Sequence, residues 1–106
     1  MDKFKIVYIT FPSKKEAEKI SQILVKERLV ACCNIFKIDS IFSWKGEVEK
    51  TKEWAVFAKT KKNLVERIIK RVKKLHSYSL PCIISFSLEK GEKKFLEWIE
   101  RETTEE

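Results

Sequence analysis

An α+β fold with a single antiparallel sheet is what this sequence predicts. Strand-like and helix-like periodicities alternate along the chain in the order β-α-β-β-α-β. The two middle strand patterns are separated only by Lys45-Gly46, a pair that suits a two-residue type I′ hairpin turn. The chain has 106 residues with only 2 Gly and 2 Pro, enough for one core and few long loops. Residues 1–106 are therefore read as a single domain.

The first strand is Lys3–Phe11. Phe4, Ile6, Tyr8 and Thr10 share one face, and Val7, Ile9 and Phe11 lie on the other, so it is apolar on both sides. Pro12 ends it. Ser13 and Glu16 then stand at the N-cap and N3 positions of a capping box. The helix they open is expected to run to about Leu29, with Ala17, Ile20, Ile23 and Leu24 inward. From Val30 the period changes to two, and Cys32, Asn34, Phe36, Ile38, Ser40, Phe42 and Trp44 form one face of the second strand. The third strand, Glu47–Lys59, would pair Trp44 with Glu47 and Phe36 with Ala55. Arms of about 13 residues far exceed the usual ~5–6, so the hairpin should project past the first strand or bend at a bulge near Ile41-Phe42. Thr60 is a candidate cap for a second helix over Lys61–Leu75, with an apolar stripe through Val65, Ile68, Val72 and Leu75. His76-Ser77-Tyr78-Ser79-Leu80-Pro81 is a connector, Cys82–Leu88 the fourth strand, and Phe95, Leu96, Trp98 and Ile99 belong to an extra C-terminal helix.

This is the ferredoxin-like βαββαβ order, with strands arranged four, one, three, two and the two main helices on one face. The other face is left to water, yet its residues are largely apolar. A second copy of the chain is the economical cover.

Lys+Arg is 23 against 16 Asp+Glu, a net charge of +7 that raises the question of nucleic acid. Many of these charges, Lys70, Arg71, Lys73 and Lys74 among them, alternate with the apolar stripe of the second helix and read as its solvated face. No apolar run is long enough to span a bilayer. The N-terminal run enters a strand pattern without a signal-peptide core, and the 3 cysteines do not form a disulfide framework, so a cytoplasmic location is expected. The charged residues are mostly Lys and Glu and Gln22 is the only glutamine, a mix that leans thermophilic but equally suits an AT-rich genome.

The topology gathers Thr10, Phe11 and Pro12 at one end of the sheet with His76, Tyr78, Pro81 and Cys82, while Cys32 and Cys33 lie at the opposite end. His76, the only histidine, reads either as a ligand or as a partner for the last helix carbonyls. Cys82 reads as a small buried filler or as a soft thiolate ligand. No zinc spacing, GxGxxG, P-loop or Ser-His-Asp order occurs, so no enzyme is expected.

Several segments resemble the divalent-cation tolerance protein CutA family. These are Glu27-Arg28-Leu29-Val30-Ala31-Cys32-Cys33-Asn34-Ile35, the Trp-x-Gly tip within Ser43-Trp44-Lys45-Gly46-Glu47, Glu53 through Lys59-Thr60, Thr10-Phe11-Pro12, and His76-Ser77-Tyr78-Ser79-Leu80-Pro81. The resemblance covers nearly the whole chain in one register. It implies a tight homotrimer similar to PII-type signalling trimers, a link to tolerance of copper and other divalent metals, and no established catalytic reaction. Ser77 stands where the family has proline, which should loosen the connector. Some bacterial members proposed to bind copper have a cysteine at the end of strand one and a second histidine, where this chain has Ile9 and Leu75. The expected metal ligands are therefore His76 and Cys82, binding copper or another divalent ion weakly and without a role in folding. Two other functions suit the fold. A nucleic-acid-binding sheet would need exposed aromatics on the central strands with a Gly-containing signature, and Glu53-Trp54-Ala55-Val56-Phe57 has no glycine. An acylphosphatase-type enzyme would need a cradle of backbone N–H groups where Pro12 removes one.

Overall fold

The structure, a computed structural model, describes residues 2–105. Its elements are β1 (Phe4–Phe11), α1 (Lys14–Lys26), β2 (Cys32–Trp44), β3 (Glu47–Lys61), a 3-10 turn (Lys62–Leu64), α2 (Val65–Leu75), β4 (Ile83–Ser87) and α3 (Lys93–Glu102). The strands form one antiparallel sheet in the order β2-β3-β1-β4, as the βαββαβ pattern predicts.

Val7, Ile9 and Phe11 of β1 and Val56 and Ala58 of β3 face both main helices. Ala17, Ile20 and Leu24 of α1 and Ile68 and Val72 of α2 meet them in one dry core. Removing a large side chain from such a core costs about 2–5 kcal/mol. The capping box is half formed. Ser13 Oγ accepts the Glu16 N–H at 3.1 Å, but the Glu16 carboxylate turns away to another partner. α1 stops at Lys26, short of Leu29, because Arg28 takes a left-handed φ of 61°. Leu29, Val30 and Ala31 are then drawn into the core as a linker.

Thr60 is not a helix cap. It is fully buried, its hydroxyl donates to the Leu29 carbonyl at 2.6 Å, and β3 continues through it to Lys61. The helical segment starts instead with the 3-10 turn, with no side-chain cap at its head. The tie between Thr60 and the α1–β2 linker is a tertiary demand that local propensity does not reveal.

β2 and β3 pair without interruption from Cys32↔Lys59 to Trp44↔Glu47, including Phe36↔Ala55. The register is as expected and there is no bulge. Lys45 (φ 50°) and Gly46 (φ 83°) both lie in the left-handed region that a type I′ turn requires. β1 pairs with β3 only as far as Phe11↔Trp54. Beyond that the hairpin runs on alone for about 23 Å at ~3.3 Å per residue. This accounts for a long axis of 44 Å and a radius of gyration of 14.3 Å, where a compact chain of this length has about 13 Å.

The face away from α1 and α2 is closed at one end only. There α3 lies against β3, with Ile99 buried, Lys59 Nζ 6.0 Å from the Phe95 ring centroid and Lys61 paired to Glu100 at 3.4 Å. Arg28 holds this helix in place, donating from its guanidinium to the carbonyls of Arg101 and Glu102. Between α3 and the hairpin the face is bare.

Candidate binding cleft at the hairpin end of the sheet

Antiparallel pairing brings the end of β1 beside the start of β4 and the connector that leaves α2, as the topology predicts. His76 is the residue that fastens them. Its side chain is fully buried and stacks on Phe11, ring centroids 4.7 Å apart and 11° from parallel. Nδ1 accepts the Tyr78 N–H at 3.1 Å, which leaves Nε2–H to donate to the Thr10 carbonyl at 2.7 Å. The imidazole thus spends both nitrogens on backbone groups of two segments. The carbonyl its ring engages belongs to the end of β1, not to the last turn of α2.

Ser77 tightens the connector where loosening was expected. Its N–H and hydroxyl both donate to the Glu16 carboxylate, at 2.9 and 2.7 Å. A proline there would have no N–H to give. This is also where the second half of the α1 capping box has gone.

On the open face a cleft of about 680 Å³ lies between the projecting hairpin and the connector. Glu53 and Thr10 form its base, Phe42, Trp44, Glu49 and Thr51 one wall, and Tyr78, Ser79, Leu80 and Cys82 the other. Glu53 is 6% exposed, and its carboxylate accepts the Tyr78 hydroxyl at 2.9 Å. Three weak acids around it, Tyr78, Cys82 and Tyr8, are raised above their ordinary values. Burial first, then the bond to Glu53, pushes the Tyr78 hydroxyl up to about 12. Burial and then the Glu53 charge also raise the Cys82 thiol. Tyr8 is raised by burial, then by the Cys82 and Glu53 charges. In the sequence Glu53 stood out only as the acid that heads the Trp54–Phe57 run and as the start of the Glu53–Thr60 segment that carries the family resemblance.

The two residues expected to ligate metal share this end of the sheet but not a face. His76 lies on the helix side against Phe11, whereas Cys82 lines the cleft. Among the described residues no group of three or more His, Cys, Asp or Glu side chains is placed to hold a metal ion. As arranged within one subunit, His76 and Cys82 do not fit a metal between them, because either imidazole nitrogen would have to surrender a buried hydrogen bond. Cys32 and Cys33 lie at the far end, opposite Lys59 and Ala58. Burial pushes the Cys33 thiol up to about 11, which keeps it unreactive.

Further along the bare face, Phe57 is ringed by Tyr8, Phe36 and Phe86 at 5.9, 5.2 and 6.0 Å, all edge to face. Rings turned edge-on to one another pack as a cluster, whereas base-binding sheets lay ring faces open for stacking.

Known proteins resemble this chain in sequence and shape. Residues 5–102 match the family described as CutA1 divalent ion tolerance protein. A divalent-cation tolerance protein CutA from Archaeoglobus fulgidus is 44% identical over 99 residues, spanning 93% of this chain and 96% of that protein. A solved CutA structure from the same organism superposes with a TM-score of 0.92 at 41% identity, covering 93% of this chain and 97% of that one. CutA1 from Oryza sativa superposes with a TM-score of 0.95 at 31% identity, covering 98% and 96%. The expected cytoplasmic location does not stand. The A. fulgidus structure is described as periplasmic, and an Arabidopsis thaliana relative, 33% identical and matched over 54% of its own length, as chloroplastic. Relatives of this chain thus carry both descriptions, and the inference from cysteine count and N-terminal pattern does not fix the location. No helix among the described residues is long and apolar enough to cross a membrane.

Proposed function

The chain belongs to the CutA1 divalent ion tolerance family, and from that premise we propose that it serves divalent-cation tolerance as a PII-like homotrimer, a binding protein without a catalytic reaction of its own. The observation that carries this reading is the bare apolar surface of the sheet and hairpin. Phe36, Ile84 and Phe86 are 40–57% exposed on the sheet, and Ile41 and Val48 reach 68% and 80% on the hairpin. Side chains of this size left in water mark an assembly surface. The hairpin also reaches too far to be buried by its own subunit. Obligate assemblies bury more than the ~1,600 Å² of a standard interface, which this surface and the 44 Å long axis favour.

Cation binding in this reading is weak, reversible and unnecessary for folding. Cys82 offers a soft sulfur donor suited to copper, and His76 joins it only by releasing Thr10 or Tyr78. Water or a neighbouring subunit would complete the set. Sedimentation equilibrium tests the assembly, and a stable monomer at micromolar concentration refutes it. Copper titration of wild type and of the double variant His76→Ala, Cys82→Ala tests the ligands. Loss of stoichiometric binding with an unchanged metal-free melting temperature is expected. Binding that survives there and vanishes with Cys32→Ala or Cys33→Ala would place the ion at the other end of the sheet.

A further inference from the structure

We propose that the helix layer, along a basic groove on α2, binds the phosphate backbone of duplex nucleic acid without regard to sequence. The starting point is where the charge sits. Residues 14–27 and 62–75, which make up the two main helices and their ends, hold 10 basic and 4 acidic residues. They account for +6 of the net charge of +7, while the sheet, hairpin and α3 are close to neutral. This layer lies on the opposite side of the sheet from the bare apolar face, so it stays in solvent whether the subunit is alone or assembled through that face.

The second observation is a concavity of about 500 Å³ where the end of α1 meets α2. Arg67, Lys70, Arg71, Lys73 and Lys74 line it, with Glu27 as its one acid. Arg71 already grips an anion there: its Nε and Nη2 donate to the Glu27 carboxylate at 2.9 and 2.6 Å. The other four cations take part in no ion pair among the described residues. Arg67, Lys70 and Lys74 follow one another at helical spacing over about 10 Å, at ~1.5 Å per residue. A nucleic-acid strand offers a phosphate about every 3.4 Å, so such a row can meet about three of them.

What the layer lacks decides between polyanions. Of the exposed large apolar side chains among the described residues, only Val25 lies on α1 or α2. The apolar stripe of α2 is spent on the core, with Ile68 and Val72 fully buried. A membrane-surface helix needs an apolar face to insert, and a protein interface needs an apolar centre. Neither α1 nor α2 contains an aromatic residue, so there is nothing on which unpaired bases could stack. Contacts to a duplex backbone need only positioned charge.

The test is fluorescence anisotropy of two labelled DNA duplexes of unrelated sequence, titrated with the intact protein in EDTA at salt from about 50 to 200 mM. Both are expected to bind alike, with log K falling against log salt at a slope of about −3.6 for four phosphate contacts. The double variant Lys70→Gln, Lys74→Gln should weaken binding about tenfold or more and flatten the slope by about 1.8. Lys93→Gln, Lys94→Gln removes the same charge from α3 on the other face and should leave the slope unchanged. Circular dichroism and sedimentation confirm that each variant keeps its fold and assembly. An absence of binding at the lowest salt, or an equal loss in the two double variants, would overturn the proposal. So would binding to vesicles of equal parts phosphatidylserine and phosphatidylcholine with none to the duplexes, which would make this a membrane-facing surface.

Discussion

The two faces of the sheet are built from the same strands to opposite specifications. On the helix side Val7, Ile9, Phe11, Val56 and Ala58 are fully buried under α1 and α2. On the other side Tyr8, Phe57, Phe36 and Phe86 form an aromatic cluster that stays partly in water, between α3 at one end and the cleft at the other. One residue along a strand separates the two regimes, since side chains alternate. The helix side therefore holds the subunit together, while the other side is free to bind. The contrast teaches that apolar patterning on both faces of a strand calls for cover on both, and the chain's own helices α1 and α2 cover only one.

Substitutions on the two faces should separate folding from assembly. The largest effect is expected from Phe11→Ala, which opens a cavity in the helix-side core and leaves the His76 ring without its stacking partner. A loss of about 3–5 kcal/mol in urea unfolding is expected. Trp44→Ala on the hairpin should leave the subunit fold intact, by near- and far-UV circular dichroism, but weaken assembly by about 2 kcal/mol or more in sedimentation. Equal assembly in that variant would remove the hairpin from the interface. Thr60→Val takes the donor from the buried Leu29 carbonyl. It should cost about 1–3 kcal/mol of unfolding free energy without changing oligomeric state.

The smallest effect is a pH signature of the cleft. The Tyr78 hydroxyl has its pKa raised from 10.0 to about 12 in the folded chain. Its neutral form is the one that folding favours, so this contribution is fully present below pH 10 and is lost as pH rises through 12. Tyr78→Phe should lack that alkaline decline. A thermal-melting series from pH 9 upward, compared with wild type, checks it, and parallel curves would show that the bond to Glu53 has no such influence.

The sheet was legible because its signals are local. The turn pair Lys45-Gly46 sets the register of the hairpin, and alternation tells each strand which residues share a face. Long-range demands were not legible. Thr60 serves the linker after α1, Glu16 abandons its own helix cap for Ser77, and Arg28 turns left-handed while its side chain clamps α3. Each is a side chain answering a segment tens of residues away, for which no periodicity exists. The site was half legible. Topology placed His76, Tyr78, Thr10 and Cys82 at one end of the sheet, but only the folded structure shows that His76 serves the helix side and Cys82 the cleft. Glu53 was visible as the acid that heads the Trp54–Phe57 run, without a hint that Tyr78 would reach it.

The claim on which the rest depends is that the bare face and the hairpin form the surface on which subunits assemble. Sedimentation equilibrium at micromolar concentration, on wild type and on the double variant Phe36→Ser, Phe86→Ser, tests it most directly. Three subunit masses are expected for the wild type, and dissociation into folded subunits for the variant. A monomeric wild type, or a variant that assembles as tightly as its parent, would contradict it.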